Sequence, residues 1–249
     1  MNYQDINKET INRWVKEGWQ WAQPISHEEY VAAKQGHWNI VLTPLKNVPK
    51  EWFGDLKGKK VLGLASGGGQ QMPILTAAGA VCTVMDYSDK QLETERMVAK
   101  REGYDIEIIE ADMTKRFPFE DATFDLIVHP VSNCYVENVE HVFKESYRVL
   151  KKGGVMLSGL GNEINYIVDN DEREIVWKMP FNPLKDKKAM AFMQEEQCGV
   201  QFSHDMSEQI GGQLRAGFRL VDLYEDTNGE GRLHDLNIKT YIATKSVKE

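Results

Sequence analysis

Short apolar runs alternate with helical stretches through the middle of the chain. The runs that we interpret as strands are residues 61–65, 80–85, 106–110, 124–129 and 155–158. They carry few charges and are bounded by turn residues, as is typical of parallel strands buried on both faces. The stretches between them with helical spacing are residues 70–78, 88–101 and 138–150, the last capped by the turn 151–154. Strands that alternate with helices predict a doubly wound α/β sheet.

The alternation breaks down after residue 160. Residues 166–168 and 175–179 predict two short strands around a charged turn, and residues 184–198 are polar and loosely helical. We interpret residues 161–203 as an insertion after the fifth strand rather than a separate domain, because the sheet pattern resumes beyond it. The insertion is a candidate cover for a substrate.

The chain closes with a predicted helix at 206–216 and two strands, 218–224 and 238–244, which we expect to pair antiparallel. The predicted fold class is therefore α/β, with a doubly wound, mostly parallel seven-stranded sheet in a main domain of residues 58–249. An N-terminal helical segment precedes this domain, and the insertion interrupts it.

Residues 1–57 are helical in character and unusually aromatic, with five of the six tryptophans of the chain. Ser26 and Glu29 have the spacing of a capping box at the start of a helix. One interpretation of this segment is a helical layer whose aromatic side chains pack on the sheet. The other is a cap or lid whose aromatic side chains line a pocket, and the two interpretations are compatible.

The charge, the cysteines and the apolar runs of the chain limit which kinds of molecule we expect it to bind. The 249 residues carry a formal net charge of −8 and no run of five or more basic residues, which disfavours nucleic acid as the main partner. Cys82, Cys134 and Cys198 are too scattered for a metal site or a disulfide framework, so we expect no metal and a reducing compartment. No apolar run reaches transmembrane length. We therefore expect a cytoplasmic protein with no membrane partner, and the oligomeric state stays open.

Three successive strand ends carry groups suited to a nucleoside. After the first strand, residues 66–69 read Ser-Gly-Gly-Gly, which lets the backbone approach a ligand closely. Asp86 ends the second strand, where a carboxylate can accept hydrogen bonds from both ribose hydroxyls. Asp112 ends the third strand, where it could accept from an adenine amine while Met113 packs on the ring. Open α/β sheets bind ligands at these carboxyl ends.

These features together resemble the class I S-adenosylmethionine-dependent methyltransferases. The matching motifs lie between residues 59 and 160 and are 61–69, Asp86, 110–113, 124–129 and 148–154. The resemblance implies a Rossmann-like methyltransferase fold and S-adenosylmethionine as the cofactor. The indicated cofactor-binding residues are Gly63, Ala65, Ser66, Gly67, Gly68, Gln70, Asp86, Tyr87, Ser88, Asp112, Met113 and His129. Gly63 stands where the family often has an acidic residue, so we expect backbone carbonyls near Gly63 and His129 to hold the methionine ammonium.

Methyl transfer depends mainly on orientation, so a dedicated base is optional. The segment 129–135 follows the fourth strand, beside the expected position of the methyl group. His129 is the best candidate for a general base, because its ordinary pKa is near neutrality. The alternative is that its ring and backbone only pack against the cofactor. Tyr135 is a second candidate and would orient the substrate or merely complete the loop.

We therefore expect a methyltransferase that acts on a small molecule enclosed by the N-terminal segment and the insertion. Three alternatives stay open at this stage. The first is a non-catalytic protein that binds S-adenosylmethionine, and the second is a nicotinamide-dependent oxidoreductase on a similar fold. The spacing of the glycines disfavours the oxidoreductase, because the GxGxxG pattern is absent. The third is aminopropyl transfer, for which the sequence shows no identifiable polyamine-binding acids.

Overall fold

The first apolar run of the sequence forms an interior strand of a seven-stranded sheet. The computed structural model describes residues 2–249. Its strands are β1 (Lys60–Leu64), β2 (Val81–Asp86), β3 (Glu107–Glu110), β4 (Phe124–His129), β5 (Leu150–Gly161), β6 (Phe218–Asp226) and β7 (Tyr241–Lys248). They lie in the order β3-β2-β1-β4-β5-β7-β6. Neighbours among β1 to β5 are parallel, and β7 runs antiparallel to both β5 and β6. The predicted α/β class and mostly parallel sheet are confirmed.

Helices cover both faces of this sheet. They are α1 (Tyr3–Lys16), α2 (His27–Lys34), α3 (Gln71–Ala77), α4 (Asp89–Glu102), α5 (Val139–Val149), α6 (Lys187–Glu195), α7 (Met206–Ala216) and α8 (Gly231–Asp235). The predicted capping box is present at the start of α2, where Ser26 accepts from the backbone of Glu29 and the Glu29 carboxylate accepts from the backbone of Ser26. The helices predicted at 70–78, 88–101, 138–150 and 206–216 agree with the structure to within one residue, and α8 was not predicted.

Alternate residues of β1 enter two separate cores. Val61 packs in the core beneath α3 and α4, whereas Leu62 and Leu64 pack in the core beneath α5. All three side chains are fully buried, as expected of a strand covered on both faces. The strand order reverses at β1, because the chain continues through β2 on one side and β4 lies on the other. This reversal opens a crevice at the carboxyl ends of the strands.

The insertion differs from its prediction. Residues 166–168 and 175–179 do not form strands: the first follows a 3-10 helix at Glu163–Tyr166, and a single antiparallel bridge joins Val168 to Ile175. Ile175 and Val176 are 77% and 49% exposed. A hairpin here has no apolar face to bury, so pairing does not extend beyond one bridge. The helical prediction for residues 184–198 is matched by α6.

Two strand boundaries also differ from their predictions. Residues 151–154 were expected to cap α5, but β5 begins at Leu150 directly after the helix and pairs with Phe124. The register of β4 and β5 shifts between Phe124 and Leu126, which accommodates the glycines. The last strand begins at Tyr241 rather than at residue 238, because residues 236–237 form a turn after α8 and residues 238–240 have no regular structure.

Aromatic and apolar side chains of the N-terminal segment pack on the sheet, and two of its tryptophans lie at the cavity. Residues 40–56 lie on the sheet, with Ile40, Leu42, Trp52 and Phe53 buried in the core beneath α3. Tyr30 stacks on Tyr104 with ring centroids 5.5 Å apart. Two other aromatic residues of this segment line the cavity described below. Across residues 2–249, the helices are all too short or too polar to cross a membrane.

Candidate functional site

A cavity of about 410 Å³ lies in the crevice at the carboxyl ends of the strands. One end, here called the cofactor half, is formed at β1, β2 and β3 and includes Ala65, Ser66, Gly67, Asp86, Asp112 and Met113. The other end, here called the acceptor half, is formed after β4, by the insertion and by β7, and includes Thr43, Cys134, Tyr135, Asn165, Tyr166 and Tyr241. Residues of helix α1 also line the cavity, as do Trp19 and Trp21.

The glycine loop is fixed by short contacts that leave no room for side chains. A Cβ on Gly67 would lie 2.7 Å from Cβ of Gln91 and 3.1 Å from Oδ2 of Asp86. Ala65, directly after β1, adopts a left-handed conformation with φ of 48°, which costs about 1 kcal/mol for a non-glycine residue. The loop therefore presents its backbone to the cavity, as a nucleoside-binding turn requires.

Asp86 holds the loop and faces the cavity with the same carboxylate. Its Oδ2 accepts from the backbone N–H of Gly67 at 3.0 Å, and its Oδ1 accepts from that of Ser88 at 2.9 Å. Burial raises the pKa of Asp86, and the backbone donors of Ser88, Gly67 and Tyr87 oppose the rise. Each carboxylate oxygen has further lone pairs, so the group can still accept from a ligand diol. These residues fit a ribose.

The third strand end supplies a second acceptor. Asp112 and Met113 both line the cavity. Oδ1 of Asp112 accepts from the backbone of Thr114 at 2.8 Å, and its Oδ2 has no partner within residues 2–249. A carboxylate oxygen of this kind can accept from an amine, while the Met113 side chain offers an apolar surface to a ring. Tyr87 and Ser88 line the cavity between the two aspartates.

Three of the predicted cofactor residues do not reach the cavity. Gly63 allows α3 to pack on β1, because a Cβ there would lie 2.7 Å from Sδ of Met72. Gly68 adopts φ of 97° and abuts the side chain of Gln91. The third is His129, described next. Gln70 does line the cavity, and its amide donates to the carbonyls of Gln20 and Gln23, which ties the loop to the N-terminal segment.

His129 is fully buried and does not line the cavity. Its Nδ1 lies 2.9 Å from the carbonyl oxygen of Leu64, and its Nε2 lies 2.8 Å from Oδ1 of Asn133. Burial lowers the pKa of the ring. Both nitrogens are thus engaged within the protein, and the geometry does not support the predicted role as general base. The ring instead links the end of β1 to the loop that follows β4.

Glu95 is a buried residue of the site that the sequence analysis missed. Its Oε2 accepts from the backbone N–H of Gly69 at 2.8 Å, so α4 supports the glycine loop through this carboxylate. Burial raises the pKa of Glu95 to about 7. A glutamate inside an amphipathic helix gives no sequence signal of this contact, because its partner lies 26 residues away.

The Glu95 contact predicts a pH-dependent stability. Because the pKa is higher in the folded state than in the unfolded state, folding takes up a proton between the two values, and stability falls as pH rises from about 5 to about 8. Glu95→Gln keeps an acceptor for Gly69 and removes the titration. Urea unfolding should show the variant gaining about 3 kcal/mol relative to the wild type across that range. Exposed Glu9→Gln is the control, and an equal gain there would contradict the assignment.

Side chains of helix α1 form hydrogen bonds, here called the clasp of α1, to the cofactor half of the cavity and to the insertion, and the sequence showed no sign of these contacts. At the cofactor half, Oδ1 of Asn12 accepts from the hydroxyl of Ser88 at 2.7 Å, and its Nδ2 donates to Asp89 at 2.7 Å. At the insertion, Asn7 is buried, accepts from the backbone N–H of Val200 at 2.6 Å and donates to its carbonyl at 2.9 Å. These contacts join residues 76 to 193 positions apart, so no local pattern could indicate them.

Tyrosines dominate the polar lining of the acceptor half. Tyr135, Tyr166 and Tyr241 surround Cys134, and burial raises the pKa of all four groups. The hydroxyl of Tyr166 donates to Oε1 of Gln201 at 3.1 Å. Within residues 2–249, the hydroxyls of Tyr135 and Tyr241 have no hydrogen-bond partner, so they are available to a ligand.

Asn228 adds a hydrogen-bond acceptor atom to the acceptor half of the cavity. Its Nδ2 donates to the carboxylate of Glu172 at 3.3 Å, which fixes the orientation of the amide. Its Oδ1 is buried and has no partner in the described part of the chain. Since the residue lines the cavity, a ligand donor would satisfy this atom. Among the described residues, no group of three His, Cys, Asp or Glu side chains is placed to hold a metal ion.

Sequence comparison connects this arrangement to a family. A model of the methyltransferase domain matches residues 62–158, which run from β1 into β5. Over 249 residues, the chain is 43% identical to the uncharacterized methyltransferase YbaJ of Bacillus subtilis, and the match covers 97% of each chain. The relationship therefore includes the N-terminal segment and the insertion as well as the sheet.

Solved structures show the same fold. An S-adenosylmethionine-dependent methyltransferase from Mesorhizobium loti matches with a TM-score of 0.64 at 17% identity, covering 80% of this chain and 95% of that one. The geranyl diphosphate C-methyltransferase of Streptomyces coelicolor, solved with Mg²⁺, geranyl diphosphate and S-adenosylhomocysteine, matches with a TM-score of 0.58 at 13% identity. That match covers 80% of this chain and 77% of the other.

Proposed function

Because the chain belongs to the class I S-adenosylmethionine-dependent methyltransferases, we propose that it methylates a small molecule held in the acceptor half of its cavity. The observation that carries the proposal is the continuity of the cavity: the strand-end aspartates and the tyrosine-rich half line one space of about 410 Å³. A space of this size lies within the range of small-molecule binding sites. A macromolecular acceptor would require the cover formed by α1 to open.

In the proposed mechanism, the residues of the protein bind the cofactor and the methyl acceptor and orient them relative to each other. Asp86 would accept from the ribose hydroxyls, Asp112 from the adenine amine, and the backbone of residues 65–67 would lie against the nucleoside. S-adenosylmethionine supplies an activated methyl group on a positively charged sulfur when it is bound. Residues 130–135 and the insertion then fix the acceptor, and the orientation they impose can contribute about 7–11 kcal/mol. We assign no proton transfer to His129, because its ring is buried and engaged.

The cap role of residues 1–57 and the cover role of the insertion belong to this proposal. Trp19 and Trp21 line the cavity, and Asn7 fastens α1 to the insertion. Exclusion of water by this cover would protect the sulfonium and strengthen every polar contact inside. A cytoplasmic location is also part of the proposal and rests on the three unpaired cysteines. The nicotinamide and non-catalytic alternatives have no supporting observation in the cavity.

Transfer of label tests the proposed acceptor class. The protein is incubated with methyl-labelled S-adenosylmethionine and a cell extract separated by size into a small-molecule fraction and a macromolecular fraction. We expect labelled product in the small-molecule fraction only. Label that enters protein or nucleic acid would contradict the small-molecule proposal. If the protein binds the cofactor but transfers no label to any fraction of the extract, the non-catalytic alternative is favoured.

The clasp of α1 predicts a kinetic effect. Asn12→Ala removes the hydrogen bonds to Ser88 and Asp89, so α1 opens more often over the cofactor half. We expect S-adenosylhomocysteine to bind about tenfold more weakly, for a loss of about 1–1.5 kcal/mol, mainly through faster dissociation. Stopped-flow fluorescence of Trp19 and Trp21 would measure the rate. Asn39→Ala, at an exposed position without a side-chain hydrogen bond in residues 2–249, should leave the rate unchanged; equal effects would refute a clasp.

A further inference from the structure

Among residues 2–249, the side chains that line the acceptor half include no acid or base of ordinary strength. In the described part of the chain, three charged residues line the whole cavity, namely Lys8, Asp86 and Asp112, and all three lie in the cofactor half. Lys8 is paired with Glu110 and Asp89 there. Within residues 2–249, the ionisable groups of the acceptor half are therefore one thiol and three phenols, and each is protonated at neutral pH. None of these side chains can therefore take a proton from a methyl acceptor bound in this half.

The two phenols that lack a hydrogen-bond partner within residues 2–249 line the same half of the cavity. Tyr135 follows β4 and Tyr241 begins β7, and both line the cavity. They are near enough to each other that charge on Tyr241 would disfavour ionisation of Tyr135. Other titratable groups near the pair are Cys134, Tyr166, Cys198 and Asp226. Asp226 accepts hydrogen bonds from the Thr43 hydroxyl and from three backbone N–H groups, so it does not compete for the phenol protons.

We infer that the methyl acceptor is an acidic hydroxyl compound, an enol or a phenol, which binds as its anion with the oxygen held by the hydroxyls of Tyr135 and Tyr241. This inference rests on the proposed function. Phenol donors bind an oxyanion more strongly than a neutral oxygen, and they give a neutral amine lone pair no comparable advantage. The pair thus favours the ionised acceptor in a site that lacks a base.

The resulting reaction balances without a further reactant. The acceptor loses its proton to water before it binds. A new bond forms between the methyl carbon and a nucleophilic atom of the conjugated anion, while the carbon–sulfur bond breaks and sulfur keeps that electron pair. The negative charge of the acceptor and the positive charge of the sulfonium cancel. The tyrosines remain protonated throughout and act by binding and orienting the anion.

A chromogenic phenol tests the inference independently of turnover. 4-Nitrophenol ionises near neutrality and changes its visible absorbance when it does so, and 4-nitroaniline is a neutral compound of the same shape. Each is titrated into the protein saturated with S-adenosylhomocysteine, over a range of pH. We expect bound 4-nitrophenol to be ionised at pH values where the free compound is mostly neutral. Tyr135→Phe and Tyr241→Phe should each weaken its binding about tenfold and move its ionisation back toward that of the free compound.

The controls separate this inference from the proposed function. Tyr147→Phe is the matched control, because its hydroxyl contacts the carbonyl of Glu249 away from the cavity. Binding of 4-nitrophenol in its neutral form, an equal affinity for 4-nitroaniline, or no binding of 4-nitrophenol would overturn the inference while S-adenosylhomocysteine still bound. Failure of S-adenosylhomocysteine to bind would instead remove the proposed function. If one phenylalanine variant does not fold, the inference is still tested by comparing the ionisation of bound 4-nitrophenol in the wild type and in the other variant.

Discussion

Replacing Asp86 with asparagine is expected to weaken the binding of S-adenosylhomocysteine by about 100-fold or more. Each hydrogen bond to a charged group contributes about 1.5–3 kcal/mol, and about 1.4 kcal/mol corresponds to a factor of ten. The asparagine would lose the charge that the ribose hydroxyls approach. It would also direct an amide N–H₂ group at one of the two backbone N–H groups, of Gly67 or Ser88, that the carboxylate now satisfies. Both the ligand contact and the loop geometry depend on this one side chain.

Isothermal calorimetry measures this loss directly. Asp105→Asn is a suitable control, because Asp105 is an exposed aspartate in the loop before β3 and takes no part in the cavity. The unfolding temperature of each variant should be measured alongside, so that a loss of affinity is not confused with a loss of fold. Wild-type affinity in a folded Asp86→Asn variant would mean that the cofactor does not contact this strand end.

The largest effect on stability is expected at Gly159. A Cβ at this position in β5 would lie 2.0 Å from the carbonyl oxygen of Leu42 and 3.1 Å from the backbone nitrogen of Val131. Both obstacles are backbone atoms, so no side-chain rotation can relieve the overlap. Gly159→Ala should therefore destabilise the fold by about 3 kcal/mol, which lowers Tm by about 6–12 °C for a chain of this size. Differential scanning calorimetry would measure the shift.

Gly161 provides the matched control two residues along the same strand. A Cβ there meets no atom within 4 Å, so Gly161→Ala should leave Tm within about 2 °C of the wild type. The Gly159 variant should also weaken acceptor binding, because Leu42 and Thr43 form part of the acceptor half. Equal Tm values for the two variants would show that residues 40–44 do not lie against β5 as described.

The sheet and the cofactor half could be predicted because their signals are local. Each strand is a continuous apolar run, and Asp86 and Asp112 stand directly at strand ends, so a reader of the sequence can place them without knowing any distant contact. His129 also ends a strand, but there the local pattern leaves the direction of the side chain open. A strand-end histidine can turn toward the ligand or into the core, and only the position of Leu64 and Asn133 decides between the two.

The acceptor half could not be predicted because it is assembled from remote segments. Tyr135, Tyr166 and Tyr241 come from three elements that have no shared pattern, and Thr43 comes from the N-terminal segment. The strands expected at 166–168 and 175–179 were wrong for a related reason, since β-branched residues favour a strand only where one face can be buried. In this region that face is absent, and the aromatic side chains pack with α6 instead.

We propose above all that the crevice at β1, β2 and β3 holds the cofactor and directs its sulfur toward the tyrosines. A crystal structure of the complex with S-adenosylhomocysteine tests this claim most directly. We predict that the ribose hydroxyls contact the carboxylate of Asp86, that the adenine lies beside Asp112 and Met113, and that the sulfur faces Tyr135 and Tyr241. A ligand bound outside this cavity, or one whose ribose does not reach Asp86, would contradict the account.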